Sequence, residues 1–151
     1  MTTTVRAYSD APALAGTDLG WSDWLEVTQE RVDLFADAVD DHQWIHVDPA
    51  RAADGPFGGP IAHGFLSLSL ATKFWTDLFD LSGVTTKVNY GLEKVRFISP
   101  VRIGARVRMN AVIADVAEIP GGYQFVVDQT IVIDGGSKPA VVARGLYRFY
   151  A

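Results

Sequence analysis

From residue 61 to residue 81 the chain reads Ile-Ala-His-Gly-Phe-Leu-Ser-Leu-Ser-Leu-Ala-Thr-Lys-Phe-Trp-Thr-Asp-Leu-Phe-Asp-Leu. Read as a helix, this stretch is about 30 Å long at 1.5 Å per residue. Its first half is apolar on nearly every side, with only Ser67, Ser69 and Thr72 interrupting. A helix apolar all round must be enclosed. A chain of 151 residues builds one domain with one core, and one small domain encloses such a helix best by wrapping a sheet around it.

The second half of the chain supplies that sheet. Residues 87–97, 106–116, 123–133 and 140–150 have β character, with Gly91 a predicted bulge. Turn signals at Pro120-Gly121-Gly122 and Asp134-Gly135-Gly136 join them. In the last strand Val141, Ala143, Gly145, Tyr147 and Phe149 share one face, while Arg144 and Arg148 share the other. One buried helix and an antiparallel meander make an α+β domain, with no internal repeat and no second domain.

Ahead of the central helix the signals are shorter. Residues 1–16 read as a loose lead-in or irregular helix, and residues 21–27 as a short first strand. Thr28 is placed to cap a helix whose apolar positions Val32, Phe35, Ala36 and Val39 recur at helical spacing, stopping near Asp40. A loop over 41–47 follows. Asp48-Pro49 opens a short helix to about Ala53, and the Gly/Pro-rich residues 55–60 turn the chain.

Composition removes several classes of function. Hydrophobic residues make up 48% and charged residues 21%, as in an ordinary globular protein. A net charge of −5 with 13 Lys plus Arg argues against nucleic-acid binding, though a local cluster could still hold a small anion. There is no cysteine, so no disulfide, thiolate nucleophile or Cys-ligated zinc is possible. The first residues lack the apolar run of a signal peptide and no run of 18 apolar residues exists, so the expectation is a cytoplasmic protein without a membrane partner.

Chemistry concentrates between Asp41 and Gly64, where all three histidines lie. Asp41 and His46, with Gln43 between them, suit a general acid/base pair on one water; the plainer reading of the spacing is that Asp41 caps a turn and His46 is a satisfied half-buried histidine. Gly64 falls in the first turn of the central helix, where its N–H has no intrahelical partner. That N–H suits a thioester oxygen gaining negative charge, or else Gly64 simply permits tight packing. His42-x3-His46 puts two metal ligands on one face only if that segment is helical, and its loop character argues for no metal. Lys94, Arg96, Arg102, Arg106 and Arg108 are five of the 13 basic residues: the solvated face of two strands, or a phosphate cradle.

Together these residues resemble a known family. Asp41-x4-His46, Pro49-x-x-Ala52 and Ile61-Ala62-His63-Gly64 are similar to the hydratase-2 motif of the MaoC-like (R)-specific enoyl-CoA hydratases. Val95-Arg96-Phe97-x-x-Pro100-Val101 with Gly104 resembles the strand that follows in that family. The longer string from Asp41 to Pro49, with Asn89-Tyr90-Gly91-Leu92, resembles its single-domain actinobacterial branch. The resemblance covers about residues 20–150 of a single domain spanning 1–151.

The resemblance implies a hot-dog fold, an antiparallel sheet wrapped around a long central helix, in a homodimer whose sheets join edge to edge. It implies addition of water to a trans-2-enoyl-CoA, or the reverse dehydration, with coenzyme A as part of the substrate and no separate cofactor. Asp41 and His46 would be the catalytic pair and the Gly64 N–H the oxyanion donor. Gln43, His63, Lys94 and Arg96 would contact substrate, with His63 mainly buttressing the loop. Gln43 and Trp44 stand where many relatives have Asn and Pro. Competing expectations are a hot-dog acyl-CoA thioesterase, a non-catalytic subunit of a heterodimeric acyl-carrier-protein dehydratase, and a metal-binding protein. Chain length of the acyl group falls to pocket depth along the helix, near Phe65, Leu68, Phe74 and Trp75.

Overall fold

The computed structural model describes residues 2–151. Strand β1 (Thr4–Ala7) leads into a 3-10 helix at Tyr8–Leu14, then β2 (Asp18–Trp21) and the two-residue β3 (Leu25–Glu26). Three helices follow: α1 (Gln29–Val39), α2 (Trp44–Val47) and α3 (Pro49–Ala53). Then come α4 (Gly64–Leu78), β4 (Phe79–Ser82), β5 (Thr86–Phe97), β6 (Arg106–Ile119), β7 (Gly122–Ile133) and β8 (Pro139–Tyr150).

The long strands form one sheet in the order β2-β6-β7-β8-β5, with β3 pairing β6. Every long pairing is antiparallel. Helix α4 lies on the inner face and buries Leu66, Leu70, Ala71, Phe74, Trp75 and Leu78. An aromatic cluster of Trp75, Phe79, Phe125, Tyr147 and Phe149 joins helix to sheet, with centroid separations from 5.0 to 6.5 Å. This is the hot-dog fold. The alternation read in the last strand is observed: the inward residues are buried and Arg144 and Arg148 face outward. The register of β5 on β8 shifts between Asn89 and Gly91, where the bulge was expected.

The central helix is shorter than the apolar run. It spans 15 residues, about 22 Å, because both ends of the run do other work. Ile61 bridges Arg102, and Phe79 is extended at φ −141°. Residues 79–82 instead form β4, which pairs parallel with β1. Phe79 and Leu81 point inward and are buried. The lead-in is therefore partly a strand, a pairing of residues some 75 positions apart. The segment read as a loop at 41–47 contains the single helical turn α2, and the first strand is divided into β2 and β3.

Enclosure of α4 is also incomplete within one chain. Phe65 is 69% exposed, and Ser69, Thr72 and Lys73 face outward as well. No helix among the described residues is long and apolar enough to cross a membrane.

Candidate active site

Local rules deliver the first residue of the site. The Thr28 side chain accepts from the Arg31 N–H and caps α1. At the far end Asp40 adopts a left-handed conformation, φ 58°, and the Asp40 and Asp41 N–H groups both reach the Ala36 carbonyl. That turn ends α1 and projects Asp41 beyond it, its side chain 51% exposed. The Asp41 carboxylate lies 3.4 Å from the Gln43 N–H, a long contact.

His46 is set by α2 and by distant partners. It is buried, and its Nδ1 lies 2.7 Å from the Ile61 carbonyl. A carbonyl only accepts, so Nδ1 carries the proton and Nε2 keeps its lone pair. Burial pushes the His46 pKa below the ordinary histidine value. The Ile61 bond opposes this, His63 adds to it, and Asp41 opposes it again. The ring is therefore held neutral, as a base. Gln29 of α1 donates from Nε2 to the His46 backbone carbonyl at 2.8 Å and to Asp33 at 2.8 Å, tying α2 to α1.

His63 precedes α4 and folds back toward the loop. Its Nε2–H donates to the Asp41 backbone carbonyl at 2.9 Å, and its ring stacks on His46 at 3.8 Å between centroids. Phe35 closes the other side at 4.9 Å. The Nδ1 of His63 is buried and has no partner. One ligand atom each from Asp41, His46 and His63 lies within 4.8 Å of the others, so the trio could converge on one water or hold one cation. His42 is elsewhere, paired with Asp37 at 2.7 Å, so His42 and His46 form no pair.

Two hollows flank the start of α4. One, about 320 Å³, is lined by Phe35, Val39, Asp41, His63, Phe65 and Ser69. The other, of similar size, is lined among others by Phe57, Ile61, Gly64, Ser67 and Phe97. Gly64 is the first helical residue, and a Cβ there would sit 3.2 Å from the Phe97 ring, so close packing is one real reason for glycine.

The remaining expected contacts are not gathered here. Gln43 is exposed and precedes α2 without a side-chain cap. Val95 turns toward the core, which places its neighbours Lys94 and Arg96 on the outer face of β5. Lys94 lines a surface hollow there with Glu93, Asp128 and Arg144. Within one chain neither reaches the Asp41–His46–His63 cluster. Conversely, the Ile61 carbonyl, Gln29 and Phe35 shape the site with no sequence signal. A backbone carbonyl is the same in every residue, and both side chains lie on an ordinary amphipathic helix.

An antiparallel sheet over one helix, with a carboxylate and two imidazoles at that helix's start, defines a class of hot-dog protein. The chain matches the family model described as MaoC like domain over residues 10–133, and it belongs to that family. It is 47% identical over 149 residues to 3-hydroxyacyl-thioester dehydratase Z of Mycobacterium tuberculosis strain H37Rv, covering 98% of this chain and 99% of that protein. It is 44% identical over 141 residues to nodulation protein N of Rhizobium leguminosarum bv. viciae, covering 91% and 87%. A solved structure, the (R)-hydratase from A. caviae involved in PHA biosynthesis, superposes with a TM-score of 0.73 at 24% identity. It covers 88% of this chain and 94% of that one.

Proposed function

We propose that this chain is an (R)-specific enoyl-thioester hydratase, equally a 3-hydroxyacyl-thioester dehydratase, acting on acyl thioesters of coenzyme A. One observation carries the reading: the Ile61 bond and burial leave His46 Nε2 as a neutral acceptor beside the Asp41 carboxylate and His63. Two acceptors side by side suit one water. The water gives one hydrogen bond to His46 and its proton to Asp41, while its oxygen bonds to the β carbon of the enoyl thioester. Asp41 returns the proton to the α carbon, so one water is added and the enzyme is unchanged. The Gly64 N–H, at the first position of α4, holds the thioester oxygen as it takes on enolate charge. His63 positions rather than reacts, since its Nε2–H is spent on Asp41.

The reading includes a homodimer and cytoplasmic residence. Strand β5 is one edge of the sheet, and Val88, Tyr90, Leu92 and Phe97 are exposed along it. Joining two β5 edges satisfies backbone groups and covers those side chains.

The test is hydration of crotonyl-CoA, followed by loss of the conjugated absorbance and by product stereochemistry. We expect the (R)-3-hydroxy product. Asp41→Asn should lower the rate by on the order of 10²–10⁴ with the fold intact. Release of free thiol instead would make the chain a thioesterase. No reaction from the folded protein would reject the hydratase reading. The reading needs no separate cofactor, although Asp41, His46 and His63 could bind a cation. Activity should therefore survive exhaustive dialysis against a chelator; loss restored by a divalent metal would overturn that part.

A further inference from the structure

A third hollow, of about 280 Å³, lies between α4 and β5. It shares Ser69 with the hollow that holds Asp41 and His63, so the two adjoin along one side of α4. Its lining mixes Leu68, Ala71 and Leu92 with Thr72, Gln129 and Tyr147. The last two are the unusual ones. Gln129 is 2% exposed and lies in the middle of the sheet, on the inner face of β7. Its Nε2 donates to the Tyr147 hydroxyl at 2.6 Å, and its Oε1 is buried with no partner. Reversing the amide only moves the deficit: Oε1 would then accept from Tyr147 and Nε2 would be left alone. One end of a buried amide is unsatisfied either way, which an apolar interior penalises.

The neighbours keep this pair in place. Gly145 sits beside it, and a Cβ there would meet the Tyr147 ring at 2.9 Å and Gln129 Oε1 at 3.2 Å. Trp75 stacks on Tyr147 with centroids 5.0 Å apart and planes 21° from parallel. Burial pushes the Tyr147 pKa up, against the smaller effect of the Gln129 bond, so the phenol keeps its proton.

We propose that this hollow receives the tail of the acyl group and selects tails carrying an oxygen function, a hydroxyl or carbonyl, that Gln129 and Tyr147 bind. A plain hydrocarbon tail fills the same space and leaves the amide unpaired. A site built to hydrogen-bond a substrate group rejects the analogue lacking it far better than an apolar slot sorts chain lengths. The inference rests on the proposed reaction.

The experiment uses the full-length protein and matched trans-2-enoyl-CoA substrates of increasing length, each with a terminal methyl or a terminal hydroxyl. The readout is the ratio of kcat/KM between the two tails. We expect the hydroxyl tail to be preferred by at least about tenfold at one length, the scale of one well-made hydrogen bond. Gln129→Met and Tyr147→Phe, checked for folding by circular dichroism, should bring the ratio toward one. Equal or alkyl-favouring ratios at every length, with crotonyl-CoA still hydrated, would overturn the inference alone and assign the amide to a buried water. If crotonyl-CoA is not hydrated, the reaction reading has failed separately. Calorimetric binding of the saturated hydroxyl- and methyl-ended acyl-CoA pair then decides the pocket by the same ratio.

Discussion

Strands β5 and β8 pair along nearly their whole length, yet they end in different states. On β8 the inward residues are buried at every second position and the outward ones are half-covered. On β5 every residue but Val95 is exposed. Both are twelve residues long and rich in β-formers. What separates them is neighbours: β8 lies between β7 and β5, whereas β5 has β8 on one side and an open edge on the other. The same contrast runs along α4, whose sheet-facing side is packed while Phe65 stands free. The hollow beside Asp41 and His63 and the proposed tail pocket both meet the uncovered side of α4 at Ser69, while the deeper wall of the tail pocket is made of buried residues of α4, β7 and β8.

The sharpest test of this contrast is a core truncation on the finished side. Phe149→Ala removes a ring packed on Phe79, Trp75 and Phe125. It should lower the unfolding free energy by about 3–5 kcal/mol in denaturant titration. A loss near zero would mean that β8 is not the rigid half. The open edge should respond differently. Val88→Lys places a charge on β5 and should weaken self-association by roughly tenfold, read by analytical ultracentrifugation, with little change in monomer unfolding. If association is unchanged, β5 is not the joining edge.

The smallest effect concerns pH at the boundary between the halves. His46 has a folded pKa below its unfolded value. The unfolded chain therefore binds the proton more readily, and stability is lost as pH falls from about 6.5 toward the lowered value. Activity should fall at still lower pH, as the folded His46 takes up a proton around its own lowered pKa, because protonated Nε2 no longer accepts. In a His46→Gln variant the acid-side loss of stability should shrink; an unaltered pH profile would remove His46 as its source.

How much of this was legible depends on how far apart the interacting residues lie. The Thr28 cap, the stop of α1 near Asp40, the Asp48 cap of α3 and the two faces of β8 are local patterns, and each is found where the spacing put it. The apolar run misled at both ends. Apolar residues at 79 and 81 satisfy a helix face and a strand face equally well, and only β1 decides between them. The candidate site was half visible. Asp41, His46 and His63 stand out by type and spacing, but their stacking order, the proton on His46 Nδ1 and the exclusion of His42 do not.

By itself, then, the sequence determined the helix caps, the facing of the long strands and the residues able to move a proton. These depend on backbone rules acting over a few positions. The tertiary structure alone decided that β1 captures residues 79–82, that Ile61 selects the tautomer of His46, that Lys94 and Arg96 face away from the cluster, and that Gln129 is buried one bond short. Each is a matter of which groups lie within hydrogen-bonding or packing distance after collapse. Such contacts join residues from 15 to some 75 positions apart, too far for any local pattern to encode.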